Sequence, residues 1–409
     1  MRIYAFEGLR FTGDDAGALA APPFDQIGDA LCARLHALSP HHFSHLTKPE
    51  AGPERDVYDH SAALHTRWLE DGVIHADGAP SLYPYEILVA DGSKRLGILA
   101  LVGVEDPAAG IIRPHEQTLG KPFADRLELL RRTQVDFEPV MFLSDDPGAL
   151  EPLIEEDVAG EPLVVHTDAA GNEHRLYRVD DPARIARYRE VLAPCPAAIA
   201  DGHHRYKVAC AYAAETGAGE GEGAGSKMAV IFSLRSEHLV IDPIHRGLSE
   251  DQDLAALASK VRERRPLAAA SGSEVAAAVA EAPQPALAFH RHDGGTELWL
   301  LDPTFMPDDA PPGAADLAVA HLHYVLLPTL GFTPESYLDG TVTYRSDPDE
   351  LFTEVDEGKL RLGIFLPPMS PGAFGKAISK GDLLPAKSTR FLPKPASGLV
   401  WAPHDTRLG

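Results

Sequence analysis

Cysteine is scarce in this chain: Cys32, Cys195 and Cys210 are the only three. An odd, sparse set does not build a disulfide scaffold and fits a reducing compartment, so a cytoplasmic location is expected. No Cys-x-x-Cys pair occurs, which excludes the common zinc ribbons. No run of about twenty apolar residues exists, so neither a membrane span nor a membrane partner is expected. The opening Met1-Arg2-Ile3-Tyr4-Ala5-Phe6-Glu7 lacks the apolar stretch and cleavage site of a signal peptide. Positive charge is short as well, since 37 Lys and Arg against 61 Asp and Glu give a formal charge of −24. Such a surface repels polyphosphate at long range, and no basic, aromatic-interleaved stretch offsets it; nucleic acid is not an expected partner. Three catalytic signatures are missing too. Gly375-Lys376 has Ser370 where a P-loop needs glycine and Ala377 where it needs Ser or Thr, and there is no G-x-S-x-G elbow and no H-E-x-x-H helix.

What is present is a soluble globular composition, 44% apolar and 24% charged over 409 residues, long enough for two or three domains. Residues 1–95 read as a small N-terminal region with a strand near Ile3–Phe6, helices over Ala30–Leu38 and Tyr58–Asp71, and a hairpin across Asp91-Gly92-Ser93. Region 96–250 reads as strands at Leu96–Val104, Val140–Leu143, Leu163–His166, Ala197–Ala200, Met228–Leu234 and Leu239–Ile241. Its helices are Pro122–Thr133, where Phe123, Leu127 and Leu130 make one stripe, and His203–Glu215. In region 251–409, residues 251–280 read as Ala-rich and helical. Further helices are expected over Asp316–Leu327, near Pro348–Glu357 and over Gly372–Ser379, with strands at Ala286–Phe289, Leu298–Leu301, Thr341–Arg345 and Leu360–Phe365. The mixture implies an α+β fold, not a regular βαβ series.

The most informative run is Ile199-Ala200-Asp201-Gly202-His203-His204-Arg205-Tyr206. An apolar strand turns at Gly202 and enters a helix, which aims backbone N–H groups and a partial positive charge at whatever sits in the turn. Two histidines and an arginine there add donors suited to phosphate oxygens, and Asp201 adds a metal ligand or a base. In Arg113-Pro114-His115-Glu116-Gln117-Thr118, Pro114 keeps the preceding residue extended and presents Glu116 at a strand end or loop. That carboxylate could serve as a general base, bind magnesium or simply meet solvent. In Pro385-Ala386-Lys387-Ser388-Thr389-Arg390-Phe391-Leu392-Pro393, cations and hydroxyls between prolines suit a carboxylate or phosphate, or form a solvated charge run. His41, His42 and His45 with Glu50 read as structural histidines before a metal site. Asp242-Pro243-Ile244-His245-Arg246 is a second phosphate-site candidate.

Pro114-His115-Glu116-Gln117, then Asp201–Tyr206, then Pro385–Arg390, in that order, resemble the free-serine kinases of the ParB/sulfiredoxin superfamily. The chain as a whole, with Ala21-Pro22-Pro23-Phe24-Asp25 and Ile241–Arg246, looks like its long bacterial branch, largely an uncharacterised-domain family. The resemblance implies a ParB/sulfiredoxin-like nucleotide-binding core in 96–250, with 251–409 carrying a substrate loop. It implies Glu116 as the base that deprotonates free L-serine, and Asp201 as an assisting or magnesium-positioning carboxylate. Gly202, His203, His204 and Arg205 match the phosphate-binding turn; Lys387, Ser388, Thr389 and Arg390 match the amino-acid loop. The implied reaction makes O-phosphoserine from ATP or ADP with Mg2+, homo-oligomerisation being left open. The alternative is a non-catalytic nucleotide-binding regulator, which needs the turn but not Glu116. A sulfiredoxin-like reductase is disfavoured because His203 stands where that chemistry needs cysteine.

Overall fold

The computed structural model describes residues 1–51, 56–116, 122–308, 310–311, 313–337, 339–379, 383–406 and 408. Its described residues form two compact units, one drawn from 1–114, 118–239 and 393–409, the other from 115–117 and 240–392. Both mix helices with sheets, in keeping with the expected mixture.

The first unit is built on a nine-stranded sheet. Its order is Ile112–Arg113, Ala197–Asp201, Val140–Ser144, Ser226–Ser233, Lys94–Gly103, Tyr83–Leu88, Glu173–Leu176, Val164–Thr167, with Ile3–Tyr4 also pairing Lys94–Gly103. Pairing is mostly antiparallel; Ala197–Asp201 runs parallel to Ile112–Arg113, and Ser226–Ser233 parallel to Val140–Ser144. The sheet thus takes strands from both sides of residue 95. Lys94–Gly103 is central because it is apolar on both faces: Leu96, Ile98, Leu99, Ala100, Leu101 and Val102 are all buried. The expected hairpin forms, Tyr83 opposite Leu99 and Leu88 opposite Lys94, with Gly92 at φ +88 in its turn. Two helices that carried no expectation, Leu150–Asp157 and Pro182–Leu192, bury Leu153, Ile154, Ile185 and Tyr188 in the core. The second has a capped start: Asp181 accepts from Arg184 N–H at 2.8 Å and proline opens the first turn. Helix Pro122–Thr133 lies where the stripe predicts, and Leu127 packs with Val208 and Tyr212 of helix His203–Thr216.

The second unit holds a six-stranded sheet ordered Val261–Pro266, Thr296–Leu301, Ala286–Arg291, Leu362–Phe365, His245–Leu248, Val342–Arg345. Helices Gly272–Glu281 and Pro348–Asp356 cover it through Val275, Val279, Leu351 and Val355. The expectation of continuous helix over 251–280 is corrected here. A 3-10 turn, Leu254–Lys260, leads into the strand Val261–Pro266, and only Gly272–Glu281 is α-helical. Pairing with Thr296–Leu301 overrides local helix propensity, and the charged, exposed strand suits a sheet edge. Within the expected helix Asp316–Leu327, the segment Leu322–Leu326 is a π-helical turn.

Candidate functional site

In the first unit the strand Ala197–Asp201 ends in an irregularity between Ile199 and Asp201 and passes into Gly202, at φ +91. That left-handed turn reverses the chain into helix His203–Thr216. A Cβ on residue 202 would lie 3.0–3.1 Å from the Arg205 guanidinium, so glycine is required twice over. The Arg205 side chain is buried. It donates from Nη2 to Asp201 Oδ2 at 2.5 Å and from Nη1 to the Pro139 carbonyl at 2.5 Å. Burial works against its charge, and the surrounding Asp201, Glu138, Asp25 and Asp136 outweigh it, raising its pKa. Arg205, expected as a phosphate ligand, is thereby committed to the turn itself.

A residue not foreseen completes this arrangement. Lys394 Nζ reaches Asp201 Oδ1 at 2.8 Å and Asp25 Oδ2 at 2.9 Å. Burial disfavours its charge, but the two carboxylates overcome that and raise its pKa. Behind the turn lies a further buried pair, Lys227 with Asp136, in which Lys227 Nζ also donates to the Glu138 carbonyl at 2.7 Å. Burial lowers the Lys227 pKa, with Asp136 pulling it back up. A local lysine–carboxylate spacing would not have disclosed either pair, because the partners are far apart in sequence. His203 is buried and His204 half-buried at the start of the helix.

Magnesium at Asp201 fails its test. The carboxylate already faces two cations within 2.8 Å, so a third is opposed by charge. Among the described residues no group of three or more His, Cys, Asp or Glu is placed to hold a metal. In the histidine patch, His42 pairs with Ser44 at 2.8 Å, and His36 stacks on His45 at 3.9 Å.

In the second unit Glu116 bridges Leu384 in parallel register, and the His115 carbonyl accepts from Leu384 N–H at 2.7 Å. Glu116 Oε2 accepts from the backbone N–H of Lys387 at 3.1 Å. His115, buried, lies 2.7 Å from Thr389 Oγ1 through Nε2. Two motifs some 270 residues apart are therefore knitted together. Their hydroxyls point inward: Ser388 Oγ donates to the Pro385 carbonyl at 2.6 Å, and both Ser388 and Thr389 are buried. Lys387 is exposed, and Arg390 is half-buried in a short strand opposite Asp242. Gln117 and Thr118 lie outside the described residues. Arg246, read as a phosphate-site candidate, is fully buried, so its guanidinium faces protein.

A family profile matches residues 3–303, and the chain belongs to that family, described as a protein of unknown function (DUF1015). No curated protein matches the chain. Among solved structures, a conserved hypothetical protein from Pyrococcus furiosus is 12% identical, with 72% of this chain and 90% of that one covered and a TM-score of 0.36. A free serine kinase in complex with AMP is 12% identical over 72% of this chain and 87% of its own, TM-score 0.36. SbnI with C-terminal truncation from Staphylococcus aureus is 12% identical over 72% and 82%, again with a TM-score of 0.36.

Proposed function

We propose that the protein is a small-molecule kinase that transfers a phosphoryl group from ATP or ADP to the hydroxyl of free L-serine or a similar amino acid, giving O-phosphoserine. The observation that carries this reading is the Lys387 N–H to Glu116 bond, 3.1 Å. It joins a carboxylate base to a loop bearing two cations, Lys387 and Arg390, of the kind that hold an amino-acid carboxylate. Phosphoryl transfer asks little covalent chemistry of a protein: positioned phosphates, positive charge and one base for the attacking hydroxyl. Gly202, His203 and His204 supply the helix N-terminus and imidazoles for the phosphates. Arg205 and Lys394 hold Asp201, and through it the shape of the turn. Ser388 and Thr389 brace the acceptor loop. Magnesium would enter with the nucleotide phosphates, and no step is assigned to it.

The fold that goes with this reading is a ParB/sulfiredoxin-like core in 96–250, with 1–95 and 251–409 flanking it. A nucleotide-binding regulator would need the turn alone and would leave the Glu116–Lys387 pair without a use. The test is incubation with ATP or ADP, magnesium and each amino acid, read by mass spectrometry for a phosphorylated product. Glu116→Gln is expected to abolish transfer while nucleotide affinity by calorimetry stays unchanged. Intact turnover in that variant removes Glu116 as the base.

A further inference from the structure

Arg246 is fully buried, and its hydrogen bonds among the described residues go to backbone carbonyls and a histidine, not to a carboxylate. Its Nη1 donates to the Ile244 carbonyl, and its Nη2 to the Lys387 carbonyl at 3.0 Å and, at 3.5 Å, to that of Ala386. Nη2 also lies 3.2 Å from His323 Nε2, in the π-helical turn, and the guanidinium sits 4.6 Å from the centre of the Tyr344 ring. Nε has no partner. Burial pushes the Arg246 pKa down to about 10, with Tyr344, Glu116 and Tyr337 opposing the fall. A buried guanidinium with no directly paired carboxylate among the described residues, and only Glu116 acting on it from further off, costs several kcal/mol that an apolar side chain of similar volume would not. Its contacts point to Lys387.

Lys387 is one of two described non-glycine residues in the left-handed region, at φ +60. An L-residue there is strained, and the conformation persists only when its surroundings enforce it. Both peptide groups of Lys387 are held: its carbonyl by Arg246, its N–H by Glu116. We infer that Arg246 is a positioning residue for Glu116, clamping the carbonyls of Ala386 and Lys387 so that the Lys387 N–H stays aimed at the Glu116 carboxylate. His323 supports the clamp: burial and Arg246 lower its pKa to about 3, so it stays neutral and offers Nε2 as an acceptor.

The catalytic consequence rests on the kinase reading; the clamp does not, and the experiment separates them. Hydrogen exchange at the Lys387 amide is followed in the full chain, its Arg246→Met variant and its Arg246→Lys variant. Arg246→Met is expected to speed that exchange about tenfold, the scale of one lost hydrogen bond, while the amides of Leu362–Phe365 keep their protection. Arg246→Lys, which retains charge without the planar fork, is expected to fall between. Lys387→Gly removes the left-handed strain, so Arg246→Met in that background should alter exchange at residue 387 less. In the turnover assay Arg246→Met should lower kcat about tenfold with nucleotide affinity unchanged. Unaltered exchange at Lys387 in Arg246→Met overturns the inference; if that variant does not fold, unaltered exchange in Arg246→Lys does so. A wild-type protein that phosphorylates nothing defeats the kinase reading, and the exchange data then decide the clamp by themselves.

Discussion

Gly202 and Arg205 illustrate how a single motif can be legible in type while its long-range bonds are not. The strand-to-helix turn follows from the run Ile199–Tyr206, because glycine readily tolerates φ +91 and a Cβ there would come within 3.0 Å of the Arg205 guanidinium. Gly202→Ala should therefore cost about 1–2 kcal/mol of stability, seen as a lower denaturant midpoint. Arg205 looked like a phosphate ligand because arginine in the first turn of a helix often is one. Its two internal bonds instead make it the strut that joins Asp201 to Pro139. Arg205→Ala should lower stability by about 3 kcal/mol, the cost of breaking a buried pair, and not only reduce affinity. A variant as stable as the wild type, with affinity alone reduced, would return Arg205 to the phosphate site. Glu116 was legible as a carboxylate at a loop, but its partner at Lys387 was not, since no local spacing relates them.

At the scale of elements, helices with strong end signals were legible almost to the residue. Pro122–Thr133 was, through its opening proline and apolar stripe, and His203–Thr216 followed from the glycine turn before it. Val261–Pro266 was not, because its strand conformation exists only through pairing with Thr296–Leu301. The returning C-terminal segment is a second such case. Trp401 is fully buried, 5.0 Å from the Phe43 ring and 5.2 Å from Phe11, and its Nε1 donates to His65 Nε2 at 3.1 Å. The same segment carries Lys394 to Asp201 and hydrogen-bonds Ala396 N–H to Tyr85 Oη at 3.0 Å. Trp401→Ala is expected to destabilise the first unit by about 3–5 kcal/mol in urea titration monitored by circular dichroism. A loss under 1 kcal/mol would show that the segment is only laid on the surface.

For the whole molecule, buried neutral histidines set the response to acid. Burial is the main force lowering His42, His65, His174 and His245 to about 4 and His323 to about 3. The unfolded chain takes up these protons near pH 6.5, whereas the folded chain does not until about pH 4, so folding loses ground as pH falls between the two. Each such histidine removes about 1.4 kcal/mol per pH unit in that window. Thermal unfolding midpoints should hold above pH 7 and drop steeply from pH 6.5 toward pH 4.5; a flat profile by calorimetry would mean these histidines are already solvated. The sequence by itself determined the mixed α/β character, the acidic surface and the strand–turn–helix at Gly202, since each depends on local spacing or on composition. Tertiary structure alone decided which charges meet. Arg205 and Lys394 close on Asp201, Lys227 on Asp136, and Arg246 on the loop that holds Glu116, all through long-range packing that no local pattern encodes.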